Sequence, residues 1–176
     1  MPKALAASTY QLQVFRTETC GCCGKWVEAM TEHGLDLKVQ IVDDDTLWTI
    51  KNQLEIPPDL SSCHTALVEN YFVEGHVPAS DIQQLLNERP KARGLCVPGM
   101  PIGSPGMEMG AQKEPFETLL VLNDWKTVVF NQHNQLRLIE LPRLWLDLNC
   151  KFVFASHFSP KLPLTSQQLP HAWAME

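Results

Sequence analysis

Three thiols stand close together near the start of the chain, in Cys20-Gly21-Cys22-Cys23. The residues before them, 10–15, alternate between polar and apolar as a strand does, and residues 24–33 carry apolar side chains at helical spacing. The cysteines are therefore predicted at the N-terminus of a helix. Unpaired N–H groups and the helix dipole favour thiolate over thiol there, so these cysteines are expected to be reactive.

The motif contains two overlapping spacings. Cys20 and Cys23 form a C-x-x-C pair, which can close a small disulfide ring, and Cys22 adds a thiol inside it. A redox pair does not need that third sulfur. Thiolates brought together repel one another, and a bound cation relieves the repulsion. Because sulfur is a soft donor, Cu(I), Zn(II) or an iron–sulfur centre is expected here rather than Mg²⁺ or Ca²⁺.

A second group of candidate ligands lies in SSCHT (61–65), in the loop that leads into the third predicted strand. We interpret Cys63 as a metal ligand that faces the first motif. His64 is either a further ligand or a histidine that hydrogen-bonds a backbone carbonyl. His76, between a predicted hairpin and a helix, is either a residue that supports a metal ligand or a surface histidine, and we interpret it as a surface histidine.

The segment PGMPIGSPGMEMG (98–110) is too rich in proline and glycine for a helix or a strand. Its methionines are Met100, Met107 and Met109. Thioether sulfur is a soft, neutral ligand that suits Cu(I) and permits exchange. The methionines are therefore either metal ligands or flexible apolar side chains that pack the loop onto the domain.

Composition excludes several classes of partner. The chain has 176 residues and a net charge of −6, with no block of lysine and arginine and no apolar run long enough to span a membrane. Neither nucleic acid nor an anionic membrane is expected as a partner. The six cysteines are too few and too clustered for a disulfide-stapled scaffold, so they indicate a site.

The predicted elements follow the order β-α-β-α-β-β-α from residue 10 to residue 88. Asp45 is predicted as the N-cap of the second helix, and Pro78 begins the last one. This order is that of a thioredoxin-like α/β core with the thiols at the start of its first helix. Segments 118–122 and 128–130 predict an added C-terminal hairpin that extends the sheet.

The chain divides into three predicted regions. Residues 1–9 are a disordered start or the remnant of an export signal, since 4–6 read Ala-Leu-Ala as at a signal-peptidase site. Residues 10–133 form the thioredoxin-like metal-binding domain. Residues 134–176 are an appendage of unknown role, and Cys150 within it is not expected to join the site.

Four segments carry a resemblance to a known family: TCGCCGKWV (19–27), SCHTALV (62–68), EGHVPASDI (74–82) and VPGMPIGSPGMEMG (97–110). The chain resembles a bacterial family of small exported metal-binding proteins, often described only as a domain of unknown function, whose copper-resistance members are called CopG. The resemblance implies a thioredoxin-like fold, a periplasmic location and copper binding, with a redox role in copper detoxification. Cys96 stands where the resemblance leads us to expect a small apolar residue.

Carried onto this chain, the resemblance implies a ligand set of three motif cysteines, a Cys-His pair and three methionines: Cys20, Cys22, Cys23, Cys63, His64, Met100, Met107 and Met109. The expected function is Cu(I) binding in copper resistance, with copper ions and other periplasmic copper-handling proteins as partners. One alternative is a thiol-disulfide oxidoreductase that uses Cys20 and Cys23 catalytically. Another is a structural zinc domain with Cys and His ligands.

Overall fold

The computed structural model describes residues 10–135, and the predictions for residues 1–9 and 136–176, including Cys150, lie outside the described residues. Residues 10–135 form a mixed α/β fold with one seven-stranded sheet and three helices. None of these helices is long and apolar enough to cross a membrane. The elements in chain order are β1 (Gln11–Arg16), α1 (Gly21–Glu32), β2 (Asp36–Ile41), α2 (Asp44–Gln53), β3 (Thr65–Val68), β4 (Tyr71–Gly75), α3 (Ala79–Glu88), β5 (Ala92–Val97), β6 (Phe116–Leu122) and β7 (Thr127–His133).

The strands follow the order β2-β1-β3-β4-β5-β6-β7 across the sheet. The pairs β1–β2 and β4–β5 are parallel, and the other neighbours are antiparallel. The predicted order β-α-β-α-β-β-α is observed from β1 to α3, and the predicted hairpin is β6–β7. Strand β5, which joins that hairpin to the rest of the sheet, was not predicted.

Apolar side chains cover both faces of the sheet and form two cores, and successive residues of one strand point to opposite faces. The larger core includes Leu12 and Val14 of β1 together with Trp26 of α1. Cys96 of β5 belongs to the smaller core on the other face. Leu95 and Val97, the residues on either side of it in the strand, belong to the larger core. Cys96 is fully buried among apolar residues, so it is a packing side chain.

The start of α2 differs from the prediction. Asp43 is the N-cap, since its Oδ1 accepts a hydrogen bond from the backbone N–H of Thr46 at 2.7 Å. Asp45 instead lies inside the first turn of the helix. The prediction of Asp45 as the cap is therefore wrong by two positions in a run of three aspartates. Asp44 and Asp45 still favour the helix there, because their charges face the positive end of its dipole.

Candidate metal centre

Four separate segments of the chain meet at one edge of the sheet. Phe15, near the end of β1, pairs with Thr65 at the start of β3, which brings the motif after β1 beside the loop that carries Cys63. Thr65 in turn pairs with Glu74 near the end of β4. Gly75 then pairs with Val97, the last residue of β5. The registers thus collect the cysteine motif, the Cys-His pair, His76 and the methionine loop in one place.

The motif cysteines occupy the first turn of α1, as the sequence predicts. Cys20 is the N-cap residue and forms a disulfide with Cys23, with their Cα atoms 5.4 Å apart. Cys23 is fully buried, whereas Cys20 is partly exposed. The free thiol of Cys22 places its Sγ 3.5 Å from the Sγ of Cys20. The ring that the C-x-x-C spacing allows is therefore closed, with the third sulfur beside it.

Cys63 lies against the motif despite the intervening chain. Its Sγ is 3.9 Å from the Sγ of Cys22, and the four sulfur atoms of Cys20, Cys22, Cys23 and Cys63 all lie within 4.8 Å of one another. The predicted proximity of Cys63 to the helix start is observed. Once the disulfide is reduced, these four soft donors form a cluster that could hold a metal ion.

Cys63 also belongs to a second cluster, with two histidines. Its Sγ lies 3.1 Å from Nε2 of His76 and 3.4 Å from Nδ1 of His64, and the three ligand atoms lie within 4.8 Å of one another. The other ring nitrogen of His76, Nδ1, donates to the carbonyl oxygen of Pro105 at 2.8 Å. Since that carbonyl needs a donor, Nε2 of His76 is left with its lone pair directed at the site. Metal-binding histidines are commonly oriented by such a bond.

The electrostatics of the site favour neutral imidazoles. Burial lowers the pKa of His76. Burial also lowers the pKa of His64 well below its usual range, and the neighbouring His76, Lys51 and Arg16 act in the same direction by opposing a further positive charge. Burial, followed by the neighbouring Cys22, raises the pKa of Cys63 to about 12. Without a cation this thiol stays protonated at neutral pH, and a bound metal ion would deprotonate it.

One buried polar atom of the site has no partner. Among residues 10–135, Nε2 of the fully buried His64 makes no hydrogen bond. The ring packs at 4.5 Å from the ring of Trp26 and at 5.2 Å from that of His76, measured between centroids. A buried nitrogen without a partner is unusual and needs a reason. The other ring nitrogen, Nδ1, faces Cys63 and joins the thiols and the thioether described next in a donor set that fits a soft metal ion.

The methionine loop reaches the site through one side chain and through its backbone. The Sδ of Met100 lies 3.9 Å from the Sγ of Cys22. Met107 is held in a turn by backbone hydrogen bonds with Gly103 and Ser104, and Met109 is 59% exposed. Gly106 packs so closely on α1 that an added Cβ would lie 2.7 Å from the carbonyl oxygen of Cys22. The structure thus brings Met100 to the thiols and clamps the loop onto the helix.

A buried ion pair supports the loop that carries Cys63. Lys51 of α2 and Glu74 of β4 form a salt bridge in which both side chains are almost fully buried. Glu74 also accepts hydrogen bonds from the backbone N–H of Ser62 and the hydroxyl of Thr65, each at 2.6 Å. Burial raises the pKa of Glu74, while Lys51 and these donors oppose the rise. The pair fixes the backbone on either side of Cys63 and His64.

The prediction of His76 as a surface histidine is wrong, because the side chain is fully buried and contacts Cys63. A signal was available in the sequence. The tight turn at Glu69-Asn70 sets Val68 opposite Tyr71, and counting back along the hairpin places residue 63 opposite residue 76.

Comparison with known proteins gives a consistent result. A family described as "Protein of unknown function, DUF411" matches residues 60–107. The chain is 35% identical to a structure of copper resistance protein CopG, form 2, covering 72% of this chain and 99% of that one with a TM-score of 0.66. Form 1 gives 36% identity, 70% and 96% coverage and a TM-score of 0.65. The chain belongs to the family of CopG copper resistance proteins. No curated protein matches it.

Membership of the CopG family confirms the resemblance that the four motifs carry. The family range 60–107 contains Cys63, His64, His76, Met100 and Met107. It begins after Cys20–Cys23, whereas the match to the CopG structures covers nearly the whole of those chains. This CopG-family chain therefore has relatives that are copper resistance proteins, and it carries a Cys/His cluster that could bind metal.

Proposed function

We propose that the protein binds Cu(I) in copper resistance or copper homeostasis. The observation that carries the proposal is the set of four sulfur atoms within 4.8 Å, to which Met100 adds a thioether. Thiolate and thioether are the donors that Cu(I) prefers. The proposed ligands are Cys20, Cys22, Cys23 and Cys63, with His64 and the methionines Met100, Met107 and Met109 as further donors.

His76 joins this proposed set, because its Nε2 faces Cys63 while its Nδ1 is bonded to Pro105. Cys63 is common to the sulfur cluster and to the Cys/His cluster, and a thiolate can bridge two ions. The arrangement thus supports binding of more than one Cu(I), with Cys63 between them.

The proposal extends to fold and location. The sheet order β2-β1-β3-β4 and the helix that starts at the cysteines support a thioredoxin-like core in residues 10–133. The kinship with copper resistance proteins supports a periplasmic role, with copper ions and other periplasmic copper-handling proteins as partners.

A redox activity is favoured by a separate observation, the disulfide between Cys20 and Cys23. Its reduction takes up two electrons and two protons and supplies two further thiols to the cluster. The oxidation state of the ring therefore controls how many sulfur ligands the metal finds. A thiol-disulfide oxidoreductase that uses Cys20 and Cys23 is the alternative function, with copper as an incidental ligand or as the electron partner.

Cys22→Ser tests metal binding against simple disulfide exchange. The substitution is expected to lower Cu(I) affinity by at least about tenfold, or roughly 1.4 kcal/mol, because it removes a thiol that lies 3.5 Å from the Sγ of Cys20 and 3.9 Å from the Sγ of Cys63. The measurement is competition with a chromogenic Cu(I) chelator, using fully reduced protein.

The matched control for this variant is Cys96→Ala, which removes a buried thiol outside both clusters. It is expected to retain the parent affinity. An unchanged titration for Cys22→Ser, with activity in disulfide exchange preserved, would favour the oxidoreductase. Tighter binding of Zn(II) than of Cu(I), with unfolding on addition of a chelator, would favour the structural zinc domain.

Met100→Leu tests the thioether. Leucine keeps the volume and apolar character of methionine but has no sulfur, so folding is expected to be nearly unchanged. Transfer of Cu(I) from the loaded protein to a chelator is expected to slow by about threefold, because a weak neutral ligand eases release. Met109→Leu, the same change at a methionine that is 59% exposed, tests separately whether this further donor contributes. Equal transfer rates for the parent and both variants would show that the loop connects β5 to β6 without taking part in copper transfer.

A further inference from the structure

A cavity of about 230 Å³ opens beside the disulfide, between α2 and the loop that carries Cys63. Of the four clustered cysteines, Cys20 and Cys63 line it. Cys23, the other half of the disulfide, is fully buried. A molecule in this cavity therefore meets the Cys20 end of the S–S bond.

The other walls come largely from α2. Leu47 is buried, and Trp48 stands 52% exposed beside the cavity. Asp44 supplies an exposed carboxylate, while the charge of Lys51 is buried and paired with Glu74. The cavity thus offers an apolar indole surface and a negative charge next to a reactive sulfur. Large exposed aromatic side chains are typical of protein recognition surfaces.

We propose that this cavity receives a cysteine-bearing segment of a reducing protein, which regenerates the thiols of the metal centre. The inference rests on the redox part of the proposed function. The disulfide determines the chemistry of the occupant, because a thiolate is the group that attacks a disulfide sulfur. Trp48 suits an apolar residue beside the attacking cysteine, and Asp44 suits a basic residue. The same negative charge disfavours small anionic thiols.

The reaction balances as two exchanges. The partner's thiolate bonds to Sγ of Cys20, the Cys20–Cys23 bond breaks, and Cys23 leaves as a thiolate that takes up a proton. A second cysteine of the partner then attacks the partner's own sulfur in the mixed disulfide, which releases Cys20 as a thiol. The partner dithiol is oxidised to a disulfide, and the protein gains two electrons and two protons.

The test uses the full chain in its disulfide form and a short capped peptide with one cysteine flanked by leucine and lysine. The rate of mixed-disulfide formation is followed by acid quenching and mass spectrometry. Trp48→Ala is expected to slow the reaction with the peptide at least about fivefold and to leave the reaction with 2-mercaptoethanol unchanged. Val129→Ala, which truncates a side chain 51% exposed on β7 at the far edge of the sheet, is expected to match the parent.

The site of attack is read by mapping the mixed disulfide after digestion, and Cys20 is the expected residue. Mapping to Cys23, or equal peptide rates for Trp48→Ala and the parent, would overturn the proposal. So would 2-mercaptoethanol reacting as fast as the peptide, since that marks an ordinary accessible disulfide. Cu(I) titration of reduced Trp48→Ala tests the metal centre separately and is expected to match the parent. Weakened Cu(I) binding would show that Trp48 supports the metal centre, and it would refute the assignment of Trp48 to a partner-binding cavity.

Discussion

Replacing Lys51 by methionine is expected to lower the free energy of unfolding by about 3–5 kcal/mol, because it leaves the carboxylate of Glu74 buried without its cation. Methionine approximates the length of the aliphatic part of lysine, so the change removes charge more than volume. The measurement is urea denaturation followed by tryptophan fluorescence, which Trp26 in the core supports.

Lys38→Met is the matched control, since Lys38 is exposed on β2 and the same substitution there is expected to change stability by no more than about 0.5 kcal/mol. A double variant, Lys51→Met with Glu74→Leu, removes both charges and is expected to recover part of the loss. It does not restore the bond from Ser62 N–H to Glu74. Equal stability of Lys51→Met and Lys38→Met would show that the buried pair contributes little.

The second large effect concerns Cys63. Because it belongs to both ligand clusters, Cys63→Ala is expected to weaken Cu(I) binding at least about 100-fold, or roughly 2.7 kcal/mol, which exceeds the effect of Cys22→Ser. The reduced protein is titrated against a chromogenic chelator, and the number of ions bound is measured together with the affinity. Loss of stoichiometry as well as affinity is the expected signature of a shared ligand.

Cys96→Ala again serves as the control, because it removes a buried thiol from the small core alone. Cys63→Ala binding Cu(I) as tightly as the parent would contradict the shared-ligand assignment. Loss of affinity for one ion with no change for a second would assign Cys63 to a single cluster.

The sequence predicted the fold where its periodicity was clear. Strands β1 to β4 and helices α1 to α3 follow simple alternation or helical spacing, with breaks at proline and glycine. Strand β5 was not predicted because its sequence contains Gly94, and glycine is unfavourable in strands. Glycine is needed there, since an added Cβ would lie 2.0 Å from the carbonyl oxygen of Phe72. The contact that requires this glycine is with the neighbouring strand β4, so the sequence around Gly94 does not reveal it.

The candidate site was predictable where the residue type itself indicated metal binding or redox chemistry. Cysteines at the start of a helix and Cys63 before β3 were recognisable from spacing and element order. His76 could be placed opposite Cys63 only by counting the hairpin register back from its turn, and its hydrogen bond to Pro105 in a distant loop could not be predicted. The contact of Met100 with Cys22 likewise depends on the path of an irregular loop, which no periodicity describes.

The close packing of Gly106 on the first turn of α1 has a consequence for engineering. A side chain at this position would collide with the backbone of Cys22 and Trp26, and the backbone of Gly106 adopts φ +83, which also favours glycine. Loop 98–110 and the start of α1 are therefore complementary in shape and depend on each other. A chimaera that exchanges the loop between relatives must carry the matching helix start with it, and an insertion on either side of Gly106 would displace Pro105 from His76 as well.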